Sequence, residues 1–227
     1  MIISSAPLRV PIGGGGTDLP EFYEKQGSGQ LVSCAINKFV YCLIRKNFEL
    51  GIRFTGYHKK EIVSHYSELQ NPLVRSVLKY LEFEDDIEIV SMSDVRTSCG
   101  LGTSSAFTVA LIYALHHYKG NSVSSRDIAE QAVIVEREIL NEAGGFQDQY
   151  VSSLGGGVKL VVDQSCTIEV DDLGVSKAVW DELFSYFVFF DTKVERRSFE
   201  IQERTVRRVR SDTVSYTHLT LPTKRIV

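Results

Sequence analysis

The 227-residue sequence predicts an α+β fold, and three observations carry that expectation. Short runs rich in β-branched and aromatic residues alternate with segments whose apolar residues recur at helical spacing. Glycine clusters at 13–16, 100–102, 144–145 and 155–157 punctuate the chain between such runs. No unit of twenty to fifty residues repeats, which excludes solenoids and propellers.

Residues 6–12 read as extended, and the Gly13–Gly16 break then leads through Thr17 and Asp18 into a short helix over 19–25 that Gly27 and Gly29 end. Leu31 to Ala35 and Phe39 to Arg45 read as two paired strands around an Ile36-Asn37-Lys38 break. Arg53 to Thr55 and Glu61 to Val63 extend the same sheet. Asn71-Pro72 sets a capping side chain before a first-turn proline, and Leu73, Val77, Leu78 and Leu81 follow on one helical face. A strand over 87–91 then feeds a polar loop from Ser93 to Gly102, which opens onto an apolar helix over 104–117. Ser124-Ser125-Arg126-Asp127 resembles a capping box, and its helix is expected to run to about Leu140. Beyond Gly144-Gly145 come another helical segment, a strand over 158–163, a further strand, a helix around Trp180, a strand over 186–190 and a charged helix over 199–210. The composition changes abruptly after about 211, so 211–227 is expected to be a foreign or disordered tail without functional weight.

A formal charge of -4 and the absence of any Lys/Arg run argue against a nucleic-acid footprint, which needs concentrated positive charge. The four cysteines include no C-x-x-C pair, so neither a zinc knuckle nor a disulfide framework is spaced into the chain. Residues 1–5 lack a basic, apolar leader, and no eighteen apolar residues run together. These features predict a reduced, cytoplasmic protein with small-molecule partners, no nucleic acid and no membrane; a homo-oligomer is compatible with them.

Three constellations can carry chemistry. Gly100-Leu101-Gly102-Thr103-Ser104-Ser105-Ala106 lies between a strand and a long helix, where close backbone approach, N–H groups and the helix N-terminus all favour a polyphosphate. Ser104 and Ser105 add hydroxyls suited to phosphate oxygens or magnesium. The alternative is a plain glycine turn with a serine cap, and without a G-K-[ST] the loop is not a Walker A motif. In Gly144-Gly145-Phe146-Gln147-Asp148-Gln149-Tyr150, Asp148 can take or orient a hydroxyl proton, or else cap the helix that follows. Arg9 offers a fixed fork for phosphate oxygens and Asp18 can accept sugar hydroxyls, or the two form a surface ion pair across the glycine loop. Glu136 can reach a metal at the loop, with Glu138 or simple solvation as its competitors.

In this order the motifs resemble the GHMP kinases, named for galactokinase, homoserine kinase, mevalonate kinase and phosphomevalonate kinase. Residues 6–18 are similar to the first family motif and 94–106 to the second. The branch most resembled is the D-glycero-D-manno-heptose 7-phosphate kinases, through 14–23, 89–92 and 147–150. The resemblance implies a GHMP kinase N-terminal domain, ribosomal S5 domain 2-like, over 1–160, with an incomplete ferredoxin-like C-terminal domain over 161–210. It implies ATP and Mg²⁺ as cofactors and a sugar or sugar phosphate as partner. The implied reaction is phosphorylation of an anomeric hydroxyl, giving a heptose 1,7-bisphosphate; fucose- or galactose-type kinases and a non-catalytic nucleotide- or sugar-binding fragment are the alternatives. On this reading Asp148 is the base, and Arg9 stabilises the transferring phosphoryl group. Ser98, Gly100, Leu101, Gly102, Thr103, Ser104 and Ser105 bind ATP. Asp18, Thr17, Gly15, Gly16, Gly145 and Gln147 bind the acceptor, and Ser104, Ser105 and Glu136 hold the metal. Arg96 and Ser98 stand where the loop motif usually has Pro and Gly, which predicts a reshaped loop. Phe146 stands where relatives often carry Lys, which predicts a less positive site. The family's third glycine-rich motif is absent, and the chain is expected to stop inside its second domain.

Overall fold

The computed structural model describes residues 1–57, 59–97, 99–188 and 190. Seven strands form one sheet: β1 (Ile2–Gly13), β2 (Ser28–Lys46), β3 (Ile52–Thr55), β4 (Lys60–Val63), β5 (Ile87–Ser93), β6 (Gly157–Asp163) and β7 (Ile168–Asp172). The order is β4-β3-β5-β2-β6-β7, with β1 paired to β2; only β3 and β5 run parallel. Short Arg53–Thr55 and Lys60–Val63 thus extend the sheet as their composition predicts.

The two strands expected around Ile36-Asn37-Lys38 are a single 19-residue strand. Its buried positions fall at Gly29, Leu31 and Ser33 and then at Val40, Cys42 and Ile44, a change of phase that makes one strand read as two. The cause lies in the pairing with β1, where Pro7 faces Phe39 but Arg9 faces Ala35, leaving extra residues of β2 as a bulge. Beyond the bulge β2 changes partner on its other edge: residues 28–34 pair with β6 and 40–46 with β5.

Helices α1 (Pro20–Gln26), α2 (Pro72–Tyr80), α3 (Thr103–Tyr118), α4 (Ser125–Val133), α5 (Gln147–Leu154) and α6 (Lys177–Ser185) complete the described chain. The caps follow the sequence: Asn71 Oδ1 accepts from the Val74 amide, and Ser124 Oγ accepts from the Asp127 amide. Helix α3 is apolar nearly all round because it is buried nearly all round, from Ser105 to Leu115, between β1, β2 and the helices α2, α4 and α5. A large core surrounds it, including Leu8, Cys42, Ile44, Val77, Ile89 and Leu111. A smaller core gathers Tyr23, Leu31, Phe146, Tyr150, Val158 and Leu160. No helix among the described residues is long and apolar enough to cross a membrane.

The helix starting at Ser125 continues to Ile139, near its expected end, but opens at Ile134–Ile139 into a π turn in which the Leu140 amide reaches the Val135 carbonyl. One expectation needs correction. Tyr186, Phe187, Val188 and Phe190 form no strand, since none of the described strands pairs with them. The domain boundary expected at 160/161 falls within β6, and β7 carries the same sheet on to Asp172. Ser98, the charged helix over 199–210 and the tail over 211–227 lie outside the described residues.

The packing around α3 sets a stability test. Leu111→Ala at this fully buried position is expected to cost about 2–5 kcal/mol, read from urea denaturation. Met92→Ala, on the half-exposed end of β5, should change stability by no more than about 0.5 kcal/mol.

Candidate active site

Arg9 is the point where three distant segments meet. It projects from β1 immediately beyond the bulge, and its Nε donates to Asp148 Oδ1 at 2.5 Å. Its Nη1 donates to the Gly100 carbonyl at 2.9 Å, and its own amide reaches the Leu101 carbonyl. The pair is largely buried, with side-chain exposures of 12% for Arg9 and 18% for Asp148. Removing one partner would strand the other's charge where water reaches it poorly. The alternative of an Arg9–Asp18 surface pair is not what forms; Arg9 pairs with Asp148. Nor does Asp148 cap α5, since Phe146 holds the cap position and Asp148 lies in the first turn with its carboxylate turned to Arg9.

The glycine loop runs directly over this pair. Gly102 adopts φ +75° at the start of α3, and a Cβ there would lie 3.1 Å from Asp148 Oδ2, so the position needs glycine both for conformation and for space. The first amides of α3, at Thr103, Ser104 and Ser105, precede the first helical bond, made by Ala106 to Gly102, and α3 has no acidic residue in its first turn. A cleft of about 730 Å³ opens here, lined by Gly100, Gly102, Thr103, Ser104, Ser105, Glu136 and Asp148 and, toward its apolar end, by Val40, Phe54, Tyr57 and Leu73.

Glu136 is carried into this cleft by the π turn and is 1% exposed. Thr108 donates to its Oε1 at 2.5 Å; Ser105 and Gln149 donate to its Oε2 at 2.8 and 2.5 Å. Burial raises its pKa above the ordinary carboxylate value, against the lowering effects of Arg137 and the three donors. Glu138, its sequence competitor, is not at the cleft, whereas neighbouring Arg137 is and binds the carbonyls of Glu142, Ala143 and Gly145. No group of three or more His, Cys, Asp or Glu among the described residues is placed to hold a metal. One carboxylate beside two serine hydroxyls at a phosphate-type loop nevertheless fits magnesium, which takes few protein ligands and completes its shell with phosphate and water oxygens.

The acceptor-side residues divide. Asp18 is 3% exposed, and its carboxylate is taken up by backbone: Oδ1 accepts from Gly16, and Oδ2 accepts from Phe146 and Gln147. Burial raises its pKa and Asp148 adds to that, against the lowering effect of the Phe146 and Gln147 amides. Thr17 Oγ1 donates to the Gln30 carbonyl. Gly145 packs against Asp18 so closely that a Cβ would overlap the carboxyl group. Asp18 and Gly145 therefore latch the first glycine loop to the start of α5, while Thr17 ties the same loop to β2. Gly15 and Gln147 meet beside the latch, and Gln147 Oε1 is buried without a hydrogen-bond partner. The Phe146 ring is buried against Tyr23 in the smaller core, where it serves packing. Gln149 escaped sequence reasoning altogether. Its signal was its place beside Asp148 in the Gln147–Tyr150 motif, but nothing in the sequence gave its depth.

Residues 71–156 match the family model described as the GHMP kinases N terminal domain. The fold is that of the GHMP kinases of known structure. It is 27% identical over 217 residues to D-glycero-alpha-D-manno-heptose 7-phosphate kinase of Campylobacter jejuni, covering 89% of this chain and 62% of that protein. It is 28% identical over 189 residues to L-fucokinase/L-fucose-1-P guanylyltransferase of Bacteroides fragilis, covering 69% of this chain and 20% of that protein. Among solved structures, a D-glycero-D-manno-heptose 1-phosphate kinase from Bacteroides thetaiotaomicron superposes with a TM-score of 0.75 at 23% identity, covering 97% of this chain and 73% of that one. The chain thus spans less than two thirds of the length of the curated relatives it matches.

The Asp18 latch has a pH signature. A carboxylate whose folded pKa is raised binds its proton more tightly in the folded state, so its contribution to stability is fully present below the unfolded value and is lost as pH rises through the folded one. Asp18→Asn does not titrate there. The wild type's stability advantage over Asp18→Asn is therefore expected to shrink from pH 4.5 to pH 8 in paired urea denaturations, and a gap that widens with pH would contradict the assignment.

Proposed function

We propose that this chain is the nucleotide- and sugar-binding part of an ATP-dependent kinase that phosphorylates a sugar hydroxyl. The observation that carries the reading is the Arg9–Asp148 pair under the glycine loop at the N-terminus of α3, a base and a cation where a transferring phosphoryl group would lie. Nucleotide phosphates rest on Gly100, Leu101, Gly102, Thr103, Ser104 and Ser105, with Ser98 preceding them, and the base extends toward Phe54, Tyr57 and Leu73.

Phosphoryl transfer needs alignment and charge neutralisation more than covalent catalysis. The acceptor hydroxyl lies beside Asp148, whose carboxylate takes its proton as the oxygen attacks phosphorus in line. Arg9 holds Asp148 through Nε and supports the charge growing on the phosphoryl oxygens, while the loop amides do the same from the opposite side. Ser104, Ser105 and Glu136 are the residues that would hold Mg²⁺, which when bound neutralises phosphate charge. The acceptor sits along Gly15, Gly16 and Gln147, with the unpartnered Gln147 Oε1 available to accept from a hydroxyl. Asp18, Thr17 and Gly145 keep that edge in place.

Similarity to a heptose 7-phosphate kinase favours a heptose 7-phosphate as acceptor, giving the 1,7-bisphosphate. Similarity to an L-fucokinase supports a free sugar as the second reading. The fold and reaction suit a cytoplasmic setting.

Two measurements test the proposal. Calorimetric titration with ADP or a non-hydrolysable ATP analogue should give binding that strengthens with Mg²⁺; a folded chain that binds neither would refute nucleotide binding here. Where the chain, or its full-length parent, turns over heptose 7-phosphate, fucose, galactose or mannose with Mg-ATP, Asp148→Asn should lower kcat by about 10²–10⁴-fold with nucleotide affinity nearly unchanged. Retained turnover in that variant would remove Asp148 from the role of base, and faster turnover of a free sugar would decide for the second reading.

A further inference from the structure

Gln149 follows Asp148 on α5 and is fully buried. Its Nε2 donates to Glu136 Oε2 at 2.5 Å and lies 3.3 Å from Ser105 Oγ. Of the three side chains that donate hydrogen bonds to Glu136, Ser105 and Thr108 belong to α3; Gln149 is the one that comes from α5. The other half of its carboxamide is poorly served, because Oε1 is buried with no hydrogen-bond partner. Turning the amide over would place Oε1 against the Glu136 carboxylate, so the orphaned acceptor accompanies a donor aimed at Glu136. An apolar residue of the same length would fill the space and leave no orphan. Packing alone therefore does not account for a glutamine here.

We propose that Gln149 is a positioning residue that fixes Glu136 for cation binding and keeps it in register with Asp148, so that cation and base move with one rigid segment. This rests on the kinase reading above. Residues that orient a ligating group through a hydrogen bond typically change metal affinity by about 10–100-fold when removed.

The test is Gln149→Met in the full chain, which keeps length and volume, removes the donor and removes the orphaned oxygen. ADP binding is measured by calorimetry with and without Mg²⁺, alongside the melting temperature. The expected result is an Mg-dependent gain in ADP affinity that falls about tenfold or more, with metal-free ADP affinity and melting temperature at or above wild type. An unchanged Mg-dependent gain overturns the inference while leaving the kinase reading intact. A variant that melts far below wild type, or loses metal-free binding in parallel, makes Gln149 a structural support and also overturns it. A wild-type chain with no Mg-dependent gain fails the kinase reading itself, and the inference with it.

Discussion

The carboxylate of Asp18 joins segments that lie 128 residues apart in sequence, by accepting the Phe146 and Gln147 amides at the start of α5 while also accepting from Gly16 in the first glycine loop. Burying a carboxylate without an Arg or Lys partner is unfavourable unless hydrogen bonds replace its water. Three oriented amides do so here, two of them from the open N-terminal turn of a helix, where negative charge is favoured. The consequence reaches beyond the bond. Once the start of α5 is fixed, Asp148 is placed one residue beyond the latch and Gln149 two, so the partner of Arg9 and the donor to Glu136 inherit their positions from it. Gly145 is part of the same constraint, because any side chain there would occupy the volume of the Asp18 carboxyl group.

Three acidic groups, Asp18, Glu136 and Asp148, thus gather around one helix start and one loop, and each is held by a different means. Asp18 has backbone amides, Glu136 has three neutral side-chain donors with the Arg137 guanidinium 3.7 Å away, and Asp148 has the Arg9 guanidinium. The fixed positive potential at the mouth of α3 faces the cleft. Arg9 belongs to both systems, since it binds Asp148 and the Gly100 carbonyl together.

Sequence patterns reached the elements set by local chemistry and stopped at those set by contact. Asn71 and Ser124 announced their helices because a cap needs only residues three positions away. Helix α3 was legible because its apolar run is long, and the loop before it because glycine and serine there have few other uses. The continuous strand β2 was not legible, since its change of phase depends on a bulge against β1, a distant partner in register. The π turn was hidden for a related reason: Val133 to Leu140 has ordinary helix-forming composition, and what widens it is tertiary. Arg137 reaches back to three carbonyls of 142–145 and Glu136 is drawn to Ser105 and Thr108. Within the site, Arg9 and Asp148 were each singled out, but not as partners, because a bond across 139 residues leaves no spacing to read.

Phe146 illustrates how motif position and spatial position part. Standing beside Gln147 and Asp148, it reads as a site residue whose lack of charge should alter the cleft. Its backbone amide binds Asp18, but its side chain packs on Tyr23 in the smaller core. At the start of a helix successive side chains diverge by about 100°, so neighbours in a motif face different surroundings. Here Phe146 faces core, Asp148 faces Arg9 and Gln149 faces Glu136. One turn of helix therefore anchors itself in the small core with Phe146 while presenting Asp148 and Gln149 to Arg9 and Glu136. The rigidity of the anchored residue is what gives the other two their aim.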